Sequence, residues 1–289
     1  MATANMKDVK RRIKSVESTK QITKAMQLVA ASKMRRAKER AIAVQPFFET
    51  LFNAMCDISR DNDFTSVFTN KVEKKKTLMI VVAGDRGLAG GFNVNVLKKA
   101  AAKAESLKEK GRQVSIMAIG KKAVEYFSKR DYNVTDSFSE IAEGMSMYGA
   151  MDIAEDVAAR FKAGEFDSVD LIYTTFVSAM TQEPCEMAIL PVENLTSWGA
   201  GERHASPIYD PSPEEVFEGM IPSYLCGLLY SAIVDSFASE QAARRSAMES
   251  ASDNADEMIA NLSLMYNRAR QAQITQEITE ISSATLNEN

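Results

Sequence analysis

The chain has 289 residues, 45% hydrophobic and 26% charged, with a net charge of −4, which suffices for one buried core plus an appendage. No apolar run approaches the ~20 residues that span a bilayer, and the start MATANMKDVKRR lacks the apolar core of a signal peptide, so a soluble cytosolic protein is expected. Cys56, Cys185 and Cys226 are odd in number and far apart, which excludes a disulfide framework and zinc spacing and leaves them as buried apolar side chains.

From Met1 to Ala83 there is no glycine, and the only proline is Pro46. The residues Val9, Ile13, Val16, Lys20, Thr23, Gln27, Ala30, Met34, Ala37, Ala41, Val44, Phe48, Leu51, Met55 and Ile58 alternate spacings of four and three. That is the seam of a coiled coil, and it predicts one long helix over 1–60. Pro46 counts against a single straight rod, because an interior proline removes a backbone donor and kinks the helix.

From Thr77 the pattern changes. TLMIVVAG, VSIMAIG and YNVTDSF read as strands that alternate with helices in VNVLKKAAAKAESLKEKG, ending at Gly111, and KKAVEYFSKRD. YGAMDIAEDVAARFKAGEF adds a helix, and VDLIYTTFVS followed by EMAILPV reads as a hairpin. The expected fold class is α/β, a Rossmann-like open sheet over 75–211. Asn194 to Glu215 is rich in Gly and Pro and reads as a loop or foot.

The last helix is predicted over 212–289, beginning near Ser212 to Ile221; from Leu228 onward it contains neither Gly nor Pro. Its seam is Tyr230, Val234, Phe237, Gln241, Arg244, Met248, Ala251, Ala255, Met258, Leu262, Met265, Ala269, Ala272 and Gln276. Helices of about 55 and 60 residues span roughly 80 and 90 Å, more than the roughly 40 Å of a compact middle domain. Both join the same segment, so an antiparallel pair is expected, with Ala30, Ala37, Ala41, Ala251, Ala255, Ala269 and Ala272 allowing close approach. Two amphipathic helices folded over a globular core would give the same periodicity.

Charge is unevenly placed. Residues 7–40 carry twelve Lys or Arg against Asp8, Glu17 and Glu39, while the last helix from Leu228 onward carries nine acids against four Arg. Mutual neutralisation leaves a positive surplus for an outside partner. Nucleic acid is not that partner, since the chain is acidic overall and no aromatics interleave the basic run.

The segment AGDRGLAGGFN places Gly84, Gly87, Gly90 and Gly91 between a strand and a helix, where a phosphate loop would stand. It ends in Phe92-Asn93 instead of Gly-Lys-Ser/Thr, and Lys121-Lys122 stand where a dinucleotide fold wants an acid. Tight turning, with Asp85 and Arg86 paired, is the simpler reading; a nucleotide-binding α/β enzyme with helical appendages is the alternative. The single His204 lies in a Gly/Pro-flanked loop and reads as exposed filler, and with one histidine a site with two histidine ligands is impossible. Asp152, Glu155 and Asp156 read as a solvated helix face, and Met145, Met147 and Met151 as core. No catalytic residue, metal ligand or cofactor contact is nominated.

Four ordered stretches carry a resemblance: KDVKRRIKSVESTKQITKAMQLVAASKMRRAKERA, GDRGLAGGFN, YDPSPEEVFEGMIPSYL and SFASEQAARRSAMESASDNADEMIANLSLMYNRARQAQITQEITEI. Together they resemble the gamma subunit of bacterial F-type ATP synthases, over essentially the whole chain. Two departures are visible, Ala89 where that family often has Cys and Ser283 where it usually has Gly, and the second touches the ending of the last helix.

The resemblance implies a non-catalytic rotating shaft that couples ion flow through a membrane rotor to ATP synthesis and hydrolysis. The coiled coil would stand in a ring of three alpha and three beta subunits, with the α/β domain as a foot seated by the epsilon subunit on the c-subunit ring. It implies no cofactor, and a peripheral place on the cytoplasmic face of the cell membrane, reached only through partner subunits. Its beta contacts fall on Met26, Arg270, Gln271, Thr275 and Glu277, and its foot contact with the ring on Tyr209. Packing within the helix pair and an intrahelical ion pair are the plainer roles for Met26 and Arg270.

Overall fold

The computed structural model describes residues 6–60, 64–70, 73–193, 195 and 209–287, with side chains described as far as residue 282. Two compact units are present, one of Ala31–Ala243 and one of Met1–Ala30 with Arg244–Asn289. The long terminal helices, α1 (Met6–Ile58) and α5 (Pro213–Asn287), run through both.

In the unit 31–243, five strands form one sheet. They are β1 (Lys76–Val82), β2 (Gln113–Ile119), β3 (Asn133–Phe138), β4 (Ser168–Phe176) and β5 (Gln182–Leu190), in the order β3-β2-β1-β4-β5. The first four are parallel, and β5 returns antiparallel to β4 as the expected hairpin. Helices α2 (Phe92–Glu109), α3 (Lys121–Ser128) and α4 (Met147–Lys162) connect them.

The near-continuous apolar run of β1 has a direct cause, because both of its faces are covered. Met79, Val81 and Ala83 join Val96, Ala100, Leu107 and Phe127 of α2 and α3. Leu78, Ile80 and Val82 face α4, the end of α1 at Met55 and Ile58, and the start of α5 from Phe217 to Ile233. Gly111, left-handed at φ +76°, ends α2 where the sequence placed its stop.

In this unit α1 and α5 meet closely. A Cβ on Gly227 would lie 2.1 Å from the Phe48 ring, so only glycine fits at this crossing. Four residues further along α1, Phe52 stacks on Tyr224 at 5.8 Å. The single long helix expected over 1–60 runs unbroken through Pro46 as α1. Proline deletes a single ladder donor, and the aromatic contacts two and six residues beyond hold the following turns.

In the other unit the pairing is antiparallel, as expected. Thr23 Oγ1 lies 2.7 Å from Ser252 Oγ, and Lys20 Nζ pairs with Asp256, so three residues back on α1 match four forward on α5. The α1 seam stands as read, with every position from Val9 to Ile58 buried or half-buried. The α5 seam needs correction beyond Met248. The inward residues are Ser252, Ala255, Ile259, Leu262, Tyr266 and Ala269, whereas Met258 and Met265 are exposed at 52% and 57%, and Ala272 and Gln276 are exposed too. Two consecutive steps of four, 244 to 248 to 252, advance the phase by one residue. A helix of 3.6 residues per turn drifts against a strict 3.5 repeat, and this step absorbs the drift.

α5 starts as read: Ser212 Oγ accepts the Glu215 backbone N–H at 3.2 Å as a cap. It continues through Ser283 to Asn287, so serine there does not end the helix.

Candidate functional site

The glycine loop after β1 is stitched into the sheet by side chains. Asp85 Oδ1 accepts the backbone N–H groups of Lys121 at 2.8 Å and Glu140 at 2.9 Å, tying together the ends of β1, β2 and β3. Asn93 Oδ1 accepts from Gly84 N–H at 2.8 Å while its amide donates to the Arg86 carbonyl at 3.1 Å. The expected pairing of Asp85 with Arg86 is therefore replaced by bonds to backbone. A carboxylate satisfied by two fixed amides gains more than one paired with an exposed guanidinium.

In a doubly wound sheet, ligands enter where the strand order reverses, at the carboxyl ends of the strands. Here that place lies between β1 and β4, and α5 occupies it. The Thr174 backbone N–H donates to Ser236 Oγ at 3.0 Å, and Asp235 Oδ2 accepts from Thr175 Oγ1 at 2.8 Å and Phe176 N–H at 3.2 Å. A Cβ on Gly84 would lie 2.8 Å from the carboxyl carbon of Glu240, which is only 5% exposed. Gly84 is thus a close-approach residue for α5, and an incoming phosphate would meet a carboxyl group instead of a cradle of amides.

The remaining sequence candidates fall into place individually. Asp152, Glu155 and Asp156 are exposed on α4, while Met145, Met147 and Met151 pack in the core. Among the described residues no three His, Cys, Asp or Glu side chains converge as metal ligands. His204 and most of the Asn194 to Glu215 loop lie outside the described residues.

Cys56 and Cys226 are buried, and burial pushes both thiols up. Cys185 is half-buried instead, its thiol donating to the Tyr173 carbonyl at 3.6 Å. One 18-residue window of α5, with mean hydropathy 1.3, does reach the length and apolarity of a membrane span, contrary to expectation; half of it is buried in the protein. Phe217, Ile221, Leu225, Leu229 and Ile233 account for this, because this part of α5 is a core helix.

The outer surfaces of the terminal helices carry the other candidates. Met26 is half-buried, and Arg270, Gln271, Thr275 and Glu277 are exposed. Thr275 Oγ1 donates to the Gln271 carbonyl and Gln273 to Glu277 Oε1, both at 2.9 Å. Ile274, Ile278 and Ile281, not singled out from the sequence, form an exposed apolar stripe at 46%, 61% and 69%. The signal was their spacing of four and three. Met6, fourteen residues before Lys20, falls opposite about residue 270.

Of the basic run, Lys20 pairs with Asp256, Lys33 with Glu143, and Arg11 and Arg35 pair within α1. Lys10, Arg12, Lys14, Lys24 and Arg36 are exposed and form no ion pair among the described residues. Tyr209 is half-buried against the core, and burial, with Asp57 nearby, pushes its hydroxyl up.

These features define a class of protein whose α/β domain has its ligand crevice closed by its own last helix, and whose two ends pair antiparallel with charged outer surfaces. Its working parts are surfaces. Comparison with known proteins makes the class specific. The ATP synthase family model matches residues 5–285. The chain is 71% identical over 286 residues to the ATP synthase gamma chain of Ruminococcus albus, covering 99% of each, and 46% identical to that of Alkaliphilus metalliredigens, covering 96% of each.

Among solved structures it resembles a chain of the central stalk and c-ring of the Tetrahymena thermophila mitochondrial ATP synthase, with TM-score 0.62 and 26% identity over 80% of this chain and 99% of that one. A Euglena gracilis mitochondrial ATP synthase chain shares the fold, with TM-score 0.64 and 18% identity over 97% and 93%. The chain belongs to the ATP synthase gamma-chain family. It is a non-catalytic subunit of the central stalk, and the nucleotide-enzyme alternative is not favoured.

Proposed function

We propose that the chain is the rotating shaft of an F-type ATP synthase, coupling ion flow through the membrane rotor to ATP synthesis and hydrolysis on three beta subunits. Segments 1–60 and 212–289 form the shaft, and 75–211 the foot. The end-to-end match to gamma chains carries this reading. The paired helices support it, because they are chemically unlike: one is basic and the other acidic. A shaft with unlike sides presents a different surface to each of three surrounding subunits at every angle. Contact energy that differs between conformations is what shifts an equilibrium, and moving a subunit from 1:99 to 99:1 takes about 5.5 kcal/mol of it.

The partners in this reading are alpha and beta subunits, three of each, the epsilon subunit, and the c-subunit ring that bears the foot. The complex lies on the cytoplasmic face of the cell membrane. Met26, Arg270, Gln271, Thr275 and Glu277 contact beta, and Tyr209 the ring. Exposure of Arg270 and Gln271 on α5 supports their part, since a guanidinium beside an amide bonds carboxylates and carbonyls with angular selectivity. The unpaired cations of α1 suit acidic loops on beta.

The test is Arg270→Ala with Gln271→Ala in the reconstituted complex. The isolated chain is expected to unfold at the wild-type midpoint, whereas assembly, ATP turnover or ion pumping falls several-fold. Wild-type assembly and pumping would return both residues to solvated helix surface.

A further inference from the structure

β3 is the edge of the sheet, with β2 its only strand neighbour among the described residues. Between its last residue, Phe138, the loop that follows and the first turns of α4 lies a cleft of about 400 Å³. Phe138, Ile141, Met145 and Ile153 give it apolar walls, and Glu140 and Asp152 are its acidic lining residues.

The rim is fixed before anything enters. Glu140 is held left-handed at φ +62° while its backbone N–H donates to Asp85 at 2.9 Å, a conformation that costs a non-glycine residue free energy and persists only where neighbours impose it. The next part of the loop is anchored to α1 by the Lys33–Glu143 ion pair at 2.6 Å and by Arg40 Nη1 donating to the Glu143 carbonyl at 3.1 Å. Ser146 Oγ accepts the Gly149 N–H at 3.1 Å and fixes the start of α4. A Cβ at Gly144 would meet nothing within 4 Å.

Glu143 is thus neutralised, whereas Glu140 and Asp152 are exposed and form no ion pair among the described residues. Two open carboxylates around an apolar hollow fit one kind of side chain, a long apolar stem with a cationic head. We propose that this cleft is a docking site for a polypeptide segment of another subunit that inserts a Lys or Arg side chain. The proposal rests on the reading that the chain works inside ATP synthase.

The test uses the purified complex carrying Tyr148→p-benzoylphenylalanine, at a residue 84% exposed on the first turn of α4. Co-purification of the chain with the catalytic subunits is scored first, and its failure overturns the functional reading and this proposal with it. Given co-purification, irradiation is expected to give one inter-subunit adduct, mapped by mass spectrometry. Glu140→Lys with Asp152→Lys is expected to lower its yield at least five-fold, and changing the mapped partner's cation to Glu to restore it. Adducts confined to this chain, or a yield indifferent to the charge reversal, would overturn the docking site while leaving the central-stalk reading intact.

Discussion

The hydroxyl oxygens of Thr23 and Ser252 lie 2.7 Å apart in the seam between α1 and α5, both buried; with one proton each, one hydroxyl donates to the other, and the acceptor donates its own proton to a backbone carbonyl of its helix, Lys20 at 3.0 Å or Met248 at 2.9 Å. A polar pair in an apolar seam favours this register, because sliding either helix breaks the bond between the two hydroxyls. Thr23→Val is expected to cost about 1 kcal/mol. Thr23→Val with Ser252→Ala should cost less than the two single changes together, since the one bond between the hydroxyls can be lost only once. Urea unfolding of the four proteins checks this, and strict additivity would mean the contact is not coupled.

Ala255, 7% exposed, packs inward, while Ser250 on the same helix faces out. Ala255→Trp should overpack the pair and cost about 1 to 3 kcal/mol, with Ser250→Trp close to neutral. Equal thermal midpoints would remove Ala255 from the interface.

Gly120 has φ +95°, and a Cβ there would lie 2.0 Å from the Ala83 carbonyl oxygen. Gly120→Ala is expected to destabilise by more than about 2 kcal/mol, as backbone strain and a backbone clash combine. Gly164→Ala, at φ +74° in open space, carries only the strain of about 1 kcal/mol. Chemical denaturation of both variants makes the comparison, and a smaller loss at Gly120 than at Gly164 would contradict it.

Asp170 on β4 is 9% exposed, and burial pushes its carboxyl up against the pull of Lys103, whose Nζ lies 3.7 Å away, and of Lys74. The folded state therefore holds this proton more tightly than the unfolded chain. Its contribution is present below the unfolded value and lost as pH rises through the folded one. Asp170→Asn, which stays neutral, should gain stability over wild type at pH 7, and the gain should shrink toward about pH 4. Lys103 also lies 3.4 Å from Glu186, so Asp170→Asn leaves it an acidic neighbour. Unfolding midpoints at the two pH values decide it, and a gain that grows toward acid would reverse the assignment.

Much of the architecture was legible because its determinants are periodic. The fifteen-residue seam of α1 and the strand-helix alternation from Thr77 depend on spacing alone, and spacing is visible in a line of letters. The seam of α5 beyond Met248 was not. Ala251, Met258 and Met265 satisfy a heptad as well as Ser252, Ile259 and Tyr266 do, and only a partner helix says which set faces it. Asp85 was read toward its sequence neighbour Arg86, whereas its partners stand 36 and 55 residues away.

The sequence by itself determined the pair of long helices, the α/β middle and the family, because apolar period, glycine placement and ordered motifs are local properties that survive without coordinates. Tertiary structure decided how the glycine loop is used. Whether Gly84 faces a ligand or a protein side chain depends on where α5 passes, some 150 residues later in the chain, and Glu240 lies against it. Residues so far apart are brought together by burial of the whole core, so no local pattern records that the crevice is already filled.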